Sequence, residues 1–142
     1  MSDFKQSDKR NNKDKNKFKR CTQQLSKEYN NPEKLYLPNG KACCFAKQFK
    51  YISNHQLRKI LDSVKLAVRQ CDNDFESARK QMFIIVAMSA YNAGRDPKKL
   101  TILYNFLESV INENTIKTKA DICAFDQLFT SIVAYHKVAE RR

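Results

Sequence analysis

The chain has 142 residues, of which 42% are hydrophobic, and carries 27 Lys/Arg against 15 Asp/Glu for a formal charge of +12. That length suits one domain with a real core. No stretch approaches the roughly 18 apolar residues of a membrane span, and the charged N-terminus lacks the apolar run of a secretory signal.

The charge is uneven. Residues 1–69 carry 17 Lys/Arg against 6 Asp/Glu, and residues 70–142 carry 10 against 9. A basic half joined to a balanced, apolar half predicts a packed body that presents positive charge to a polyanion. The cytoplasm is the expected compartment, and the cysteines agree. Cys21, Cys43, Cys44, Cys71 and Cys123 form no C-x-x-C pair, and an odd count suits no disulfide framework. Vicinal Cys43 and Cys44 diverge on a helix, so no metal and no other cofactor is expected.

Residues 1–34 are rich in Lys, Asn, Asp, Gln and Ser. Such a tract buries too little surface to offset its ordering entropy and reads as a disordered, flexible basic arm. Residues 35–142 read as a helical bundle domain. Asn31-Pro32 and Leu37-Pro38-Asn39-Gly40 punctuate the junction, where Tyr36 and Leu37 are expected to pack back on the body. The first long helix is expected over 41–51, with Ala42, Phe45, Ala46 and Phe49 as its core stripe and Lys41, Lys47 and Lys50 off it.

Ser53-Asn54-His55-Gln56 is a capping box that opens a second helix over 54–71. Leu57, Ile60, Leu61, Val64, Ala67 and Val68 share one arc. Arg58, Lys65 and Arg69 share another, with Asp62 among them. Lys59 lies on the far flank next to Leu66, whose position hints at a partner surface. Asp72-Asn73-Asp74 is a capping turn, and a third helix runs to about Ala93 with Gly94 as its terminator. Its segment 82–88 is apolar nearly all round, which places it centrally or under another subunit. Asp96-Pro97 starts a fourth helix, with Leu100, Leu103, Tyr104, Leu107, Val110 and Ile111 inward. Residues 112–117 form a polar connection. A fifth helix spans 118–140, with Ile122, Phe125, Leu128, Phe129, Ile132, Val133 and Tyr135 inward. The predicted architecture is all-α, a compact bundle of about five helices.

Nothing in this pattern predicts catalysis. His136 falls on the apolar arc of the last helix and reads as a core histidine. Cys123 and His136 lie about 20 Å apart along that helix, too far for a nucleophile pair. The chain has no Gly-rich phosphate loop and no H-E-x-x-H. A small RNase using His55 with a nearby Lys lacks a second acid–base group. A helix-turn-helix DNA-binding regulator is the alternative binding module, but the second helix lacks the Asn/Gln/Ser mix that reads base edges.

Three stretches carry a resemblance: Ile52-Ser53-Asn54-His55-Gln56-Leu57-Arg58-Lys59, Tyr91-Asn92-Ala93-Gly94-Arg95, and Ile132-Val133-Ala134-Tyr135-His136-Lys137. In order and spacing they resemble the small helical subunit of the type III-A CRISPR–Cas (Csm) effector complex, over roughly residues 36–138. The family's Thr-Ser pair reads Ser53-Asn54 here, and its terminal aromatic-Gly-Gly is replaced by Val138-Ala139-Glu140-Arg141-Arg142. The resemblance implies a non-catalytic subunit in antiviral defence. Copies of it stack along the guide RNA–target RNA duplex and brace the larger Csm subunits that do the cutting. Arg58, Arg95 and Lys137 are the RNA or neighbour contacts implied by the matching motifs. Lys47, Lys50, Lys59, Lys65 and Arg69 join them on charge and helical position. Such a surface should be sequence-tolerant, since an A-form duplex presents phosphates and 2′-hydroxyls rather than readable base edges.

Overall fold

The structure, a computed structural model, describes residues 18–140. In chain order the elements are α1 (Leu25–Glu28), α2 (Pro32–Tyr36), α3 (Lys41–Gln48), α4 (Asn54–Gln70), α5 (Phe75–Arg95), α6 (Pro97–Val110) and α7 (Lys119–Glu140). No strand occurs among the described residues. The five longer helices are those the hydrophobic periodicity predicts, and α1 and α2 are short additions. None of the helices among the described residues is long and apolar enough to cross a membrane.

The caps explain several boundaries. Ser53 Oγ accepts from the Gln56 N–H at 3.1 Å, and Gln56 Oε1 accepts from the Ser53 N–H at 3.2 Å, which closes the predicted capping box of α4. Asp74 Oδ1 accepts from the Glu76 N–H at 3.1 Å and starts α5. Pro97 opens α6, but the Asp96 side chain makes no cap hydrogen bond. At the start of α3, a Cβ on Gly40 would sit 2.6 Å from the Lys34 carbonyl oxygen, so only glycine permits this close crossing after α2.

Gly94 departs from expectation. It lies inside α5, which continues to Arg95, and it has no positive φ. A Cβ there would meet nothing within 4 Å. The fold therefore does not require glycine at this position, and the residue costs helix stability without steric return. Gly94→Ala should raise the stability of the isolated chain by about 0.5–1 kcal/mol, seen as a higher urea midpoint.

The flexible-arm expectation for residues 1–34 is corrected over its second half. Phe18, Leu25 and Tyr29 are buried in the core. The Cys21 N–H donates to the Ser109 carbonyl at 2.8 Å, and the Leu25 N–H donates to the Thr115 carbonyl at 3.1 Å. Composition misled because a few well-spaced apolar residues, with side-chain hydrogen bonds to the loop after α6, suffice to dock a polar segment. Residues 1–17 lie outside the described residues. Tyr36 packs back as expected, with its carbonyl accepting from the Tyr135 hydroxyl, whereas Leu37 stays exposed.

The core is built around α7, which packs against α1, α3 and α4, while α5 packs against α4 and α6. Phe106 of α6 sits at the centre of an aromatic cluster with Phe18, Phe45, Phe49, Phe125 and Phe129. The predicted polar connection after α6 is a tight, internally bonded turn. It buries Asn112, Thr115 and Ile116, and Arg79 of α5 holds it through Nε to the Ile116 carbonyl at 2.6 Å.

Candidate nucleic-acid interface

A buried polar cluster gathers three of the helices that carry candidate side chains at one end of the bundle. Asn54, the first residue of α4, donates through Nδ2 to the Val133 carbonyl at 3.3 Å and to His136 Nδ1 at 3.1 Å. His136 Nε2 lies 3.1 Å from the Phe49 carbonyl, so the tautomer assigned by this network carries its proton on Nε2. The Asn54 N–H reaches Glu140 at 3.3 Å. Both ring nitrogens of His136 are thus engaged, and the histidine is a buried bolt between α7, α4 and the end of α3. Two of the motifs behind the resemblance meet here, and the residues that meet, Asn54, Val133 and His136, hold the fold together.

This cluster brings the end of α3, the start of α4 and the end of α7 together. Gln56 and Lys59 of α4 line a common groove with Asn92 and Arg95 of α5. The end of α5 and the start of α6 therefore close the same end of the bundle. Lys47, Lys50, Arg58, Lys59, Arg95 and Lys137 are all exposed at this end. Lys98 and Lys99, in the first turn of α6, are exposed beside them. The nearby carboxylates are Asp62, one turn along α4 from Arg58, together with Asp96 and Glu140, and the last is engaged by Lys137 at 3.5 Å. Cations at the start of α6 oppose that helix's dipole, so they are not there to stabilise it.

Two cations in the sequence-derived set sit elsewhere. Lys65 is tied to Asp126 of α7 by a 2.8 Å ion pair and fastens α4 to α7. Arg69 lies about 16 Å along the axis from Arg58, toward the other end of the bundle. That end is nearly charge-balanced: Lys119 pairs with Asp72, and Arg20 approaches Glu108 and Glu113. Helical angle alone grouped Arg58, Lys65 and Arg69, but position along the axis and a partner on another helix separate them. Sequence reasoning missed Lys98 and Lys99. Their signal was nearness to Arg95 across the Asp96-Pro97 break.

Two of the cations rest on aromatic rings. Lys50 Nζ lies 5.0 Å from the Tyr51 ring centre, and the Arg95 guanidinium lies 5.8 Å from that of Tyr91. These rings hold the charges at the surface without neutralising them.

No cluster of three or more His, Cys, Asp or Glu side chains suited to a metal ion occurs among the described residues. Burial pushes the Cys21 and Cys71 thiols above their ordinary range, which disfavours the reactive thiolate. Burial likewise raises the Tyr29 hydroxyl, with Cys21 beside it adding to the effect.

The fold and this site define a small all-helical protein with one strongly cationic end. The family model described as Csm2 Type III-A matches residues 29–142. The chain belongs to that family and is a small subunit of the type III-A Csm complex. No curated protein and no solved structure matches it.

Proposed function

We propose that this subunit binds the sugar–phosphate backbone of the guide RNA–target RNA duplex through its cationic end, without reading sequence. It braces the larger subunits and breaks no bonds itself. Copies stacked along the duplex would each present this end to the same repeating phosphates. The observation that carries the reading is the convergence of α3, α4, α6 and α7 to set Lys47, Lys50, Arg58, Lys98, Lys99 and Lys137 at one end beside few carboxylates. Phosphates attract such a surface through counterion release, which is independent of base identity. Arg58 is the strongest single candidate: it is exposed on the first turns of α4, and its planar fork suits a phosphate.

The test uses the assembled complex. Arg58→Ala should weaken target-RNA retention about threefold to tenfold and reduce the salt slope by about 1. Lys59→Ala should do less. Negligible effects from both variants would count against this end as the RNA side. Random RNA sequences should be held about equally. A purified subunit that cuts RNA unaided would end the non-catalytic reading.

A further inference from the structure

The fold leaves one sequence signal unabsorbed. The segment 82–88 of α5 is apolar nearly all round, yet α5 packs mainly against α4 and α6. Ile84 and Met88, one turn apart, are 42% and 53% exposed, and Tyr91, a turn further on, is 60% exposed. Single exposed apolar side chains are ordinary, but a row of three along one helix face is not.

Ile84 and Met88 form a wall of the groove shared by α4, α5 and the start of α6, a space of about 590 Å³. Its apolar lining continues through Ile60 and Leu100. From Gln81 to Arg95 it runs about 20 Å along α5, enough for three to four turns of a helix.

Charge selects the neighbour. The ionic lining of the groove is Lys59 and Arg95 against Asp96 alone. An aliphatic wall does not suit a sugar–phosphate chain. A second copy laid face to face would set two grooves of the same net positive charge against each other, concave on concave, which repels and leaves the apolar wall unfilled. We propose that this groove seats an amphipathic helix of a different polypeptide of the complex. That helix places aliphatic side chains one turn apart on Ile84 and Met88, and a carboxylate between Lys59 and Arg95. This rests on the chain acting as a complex subunit, and it moves Lys59 and Arg95 from phosphate binding to subunit docking.

The experiment places a photo-crosslinking benzoylphenylalanine at Met88 of the full chain and purifies the complex from cells. The adduct should map to an aliphatic, acid-bearing helix of a companion subunit. An adduct to RNA or to a second copy, or no adduct, overturns the proposal. In parallel, Met88→Asp should cut incorporation into the complex at least tenfold while Met88→Leu preserves it. The melting temperature of the isolated Met88→Asp chain should stay unchanged, since the side chain is half-exposed. Normal incorporation of Met88→Asp, or a collapse of its melting temperature as the reason for its loss, also overturns the proposal. The Arg58→Ala retention assay separates the two readings: it tests the cationic end whether or not the groove is occupied.

Discussion

Phe106→Ala is expected to lower stability by about 3–5 kcal/mol, the usual cost of emptying a large aromatic site in a core. Phe106 is fully buried. Its ring centre lies 4.8 Å from that of Phe45, 5.4 Å from Phe49 and 5.5 Å from Phe18. On the other side Phe125 and Phe129 of α7 lie 6.5 Å away. The ring therefore joins the N-terminal segment, α3 and α7 to α6, and no single neighbour can move into the space it leaves. Against a typical total of about 5–15 kcal/mol, the loss is about a fifth or more. The measurement is urea unfolding followed by circular dichroism. Phe106→Leu should recover most of the difference, because it keeps much of the apolar volume. Equal midpoints for Phe106→Ala and the unaltered chain would refute the central role of this ring.

Asp121→Asn should cost about 3–4 kcal/mol at neutral pH, because a charged acceptor with several donors is lost from a buried site. The side chain of Asp121 is buried at the start of α7. Its Oδ1 accepts from the Ser26 N–H at 3.0 Å and from Ser26 Oγ at 2.7 Å. Its Oδ2 accepts from Gln24 Nε2 at 3.0 Å and from the Lys117 and Thr118 N–H groups at 2.9 Å each. Burial alone would raise the carboxyl pKa, but the hydrogen bonds from Gln24, Ser26 and Lys117 outweigh it and bring it down to about 2.

A carboxyl whose pKa is depressed by folding stabilises the folded chain above its unfolded value. That stability disappears as pH falls through the folded value. Here the window runs from the ordinary 3.8 down to about 2, and the loss amounts to about 2–3 kcal/mol. The Asp121→Asn chain lacks this contribution, so the gap between it and the unaltered chain should narrow over that range. Parallel acid titrations of both would show no narrowing if the carboxylate were not held ionised.

Much of this was legible in sequence because the long helices carry their own punctuation. Ser53 with Gln56 fixed the start of α4, and Asp96-Pro97 fixed the break before α6. Phe106 was missed from the predicted inward stripe although it is the hub of the core, since periodicity marks a face and does not weigh its members. The docking of Phe18, Leu25 and Tyr29 was hidden because its anchor, Asp121, lies far along the chain. Local composition does not encode such a contact. The candidate site was half legible. Helical angle marked Arg58, but only the assembled end groups it with Lys47, Lys50 and Lys98. The partner that ties Lys65 to α7, Asp126, sits on another helix.

The Asp121 clasp has a consequence for biogenesis. Gln24 and its carboxylate acceptor are separated by 97 positions. At ribosomal speeds of about 5–20 residues per second, the early segment waits roughly 5–20 s before its acceptor is even synthesised. The early segment leaves the exit tunnel with its anchor open, and it latches shut only once Asp121 has followed it out.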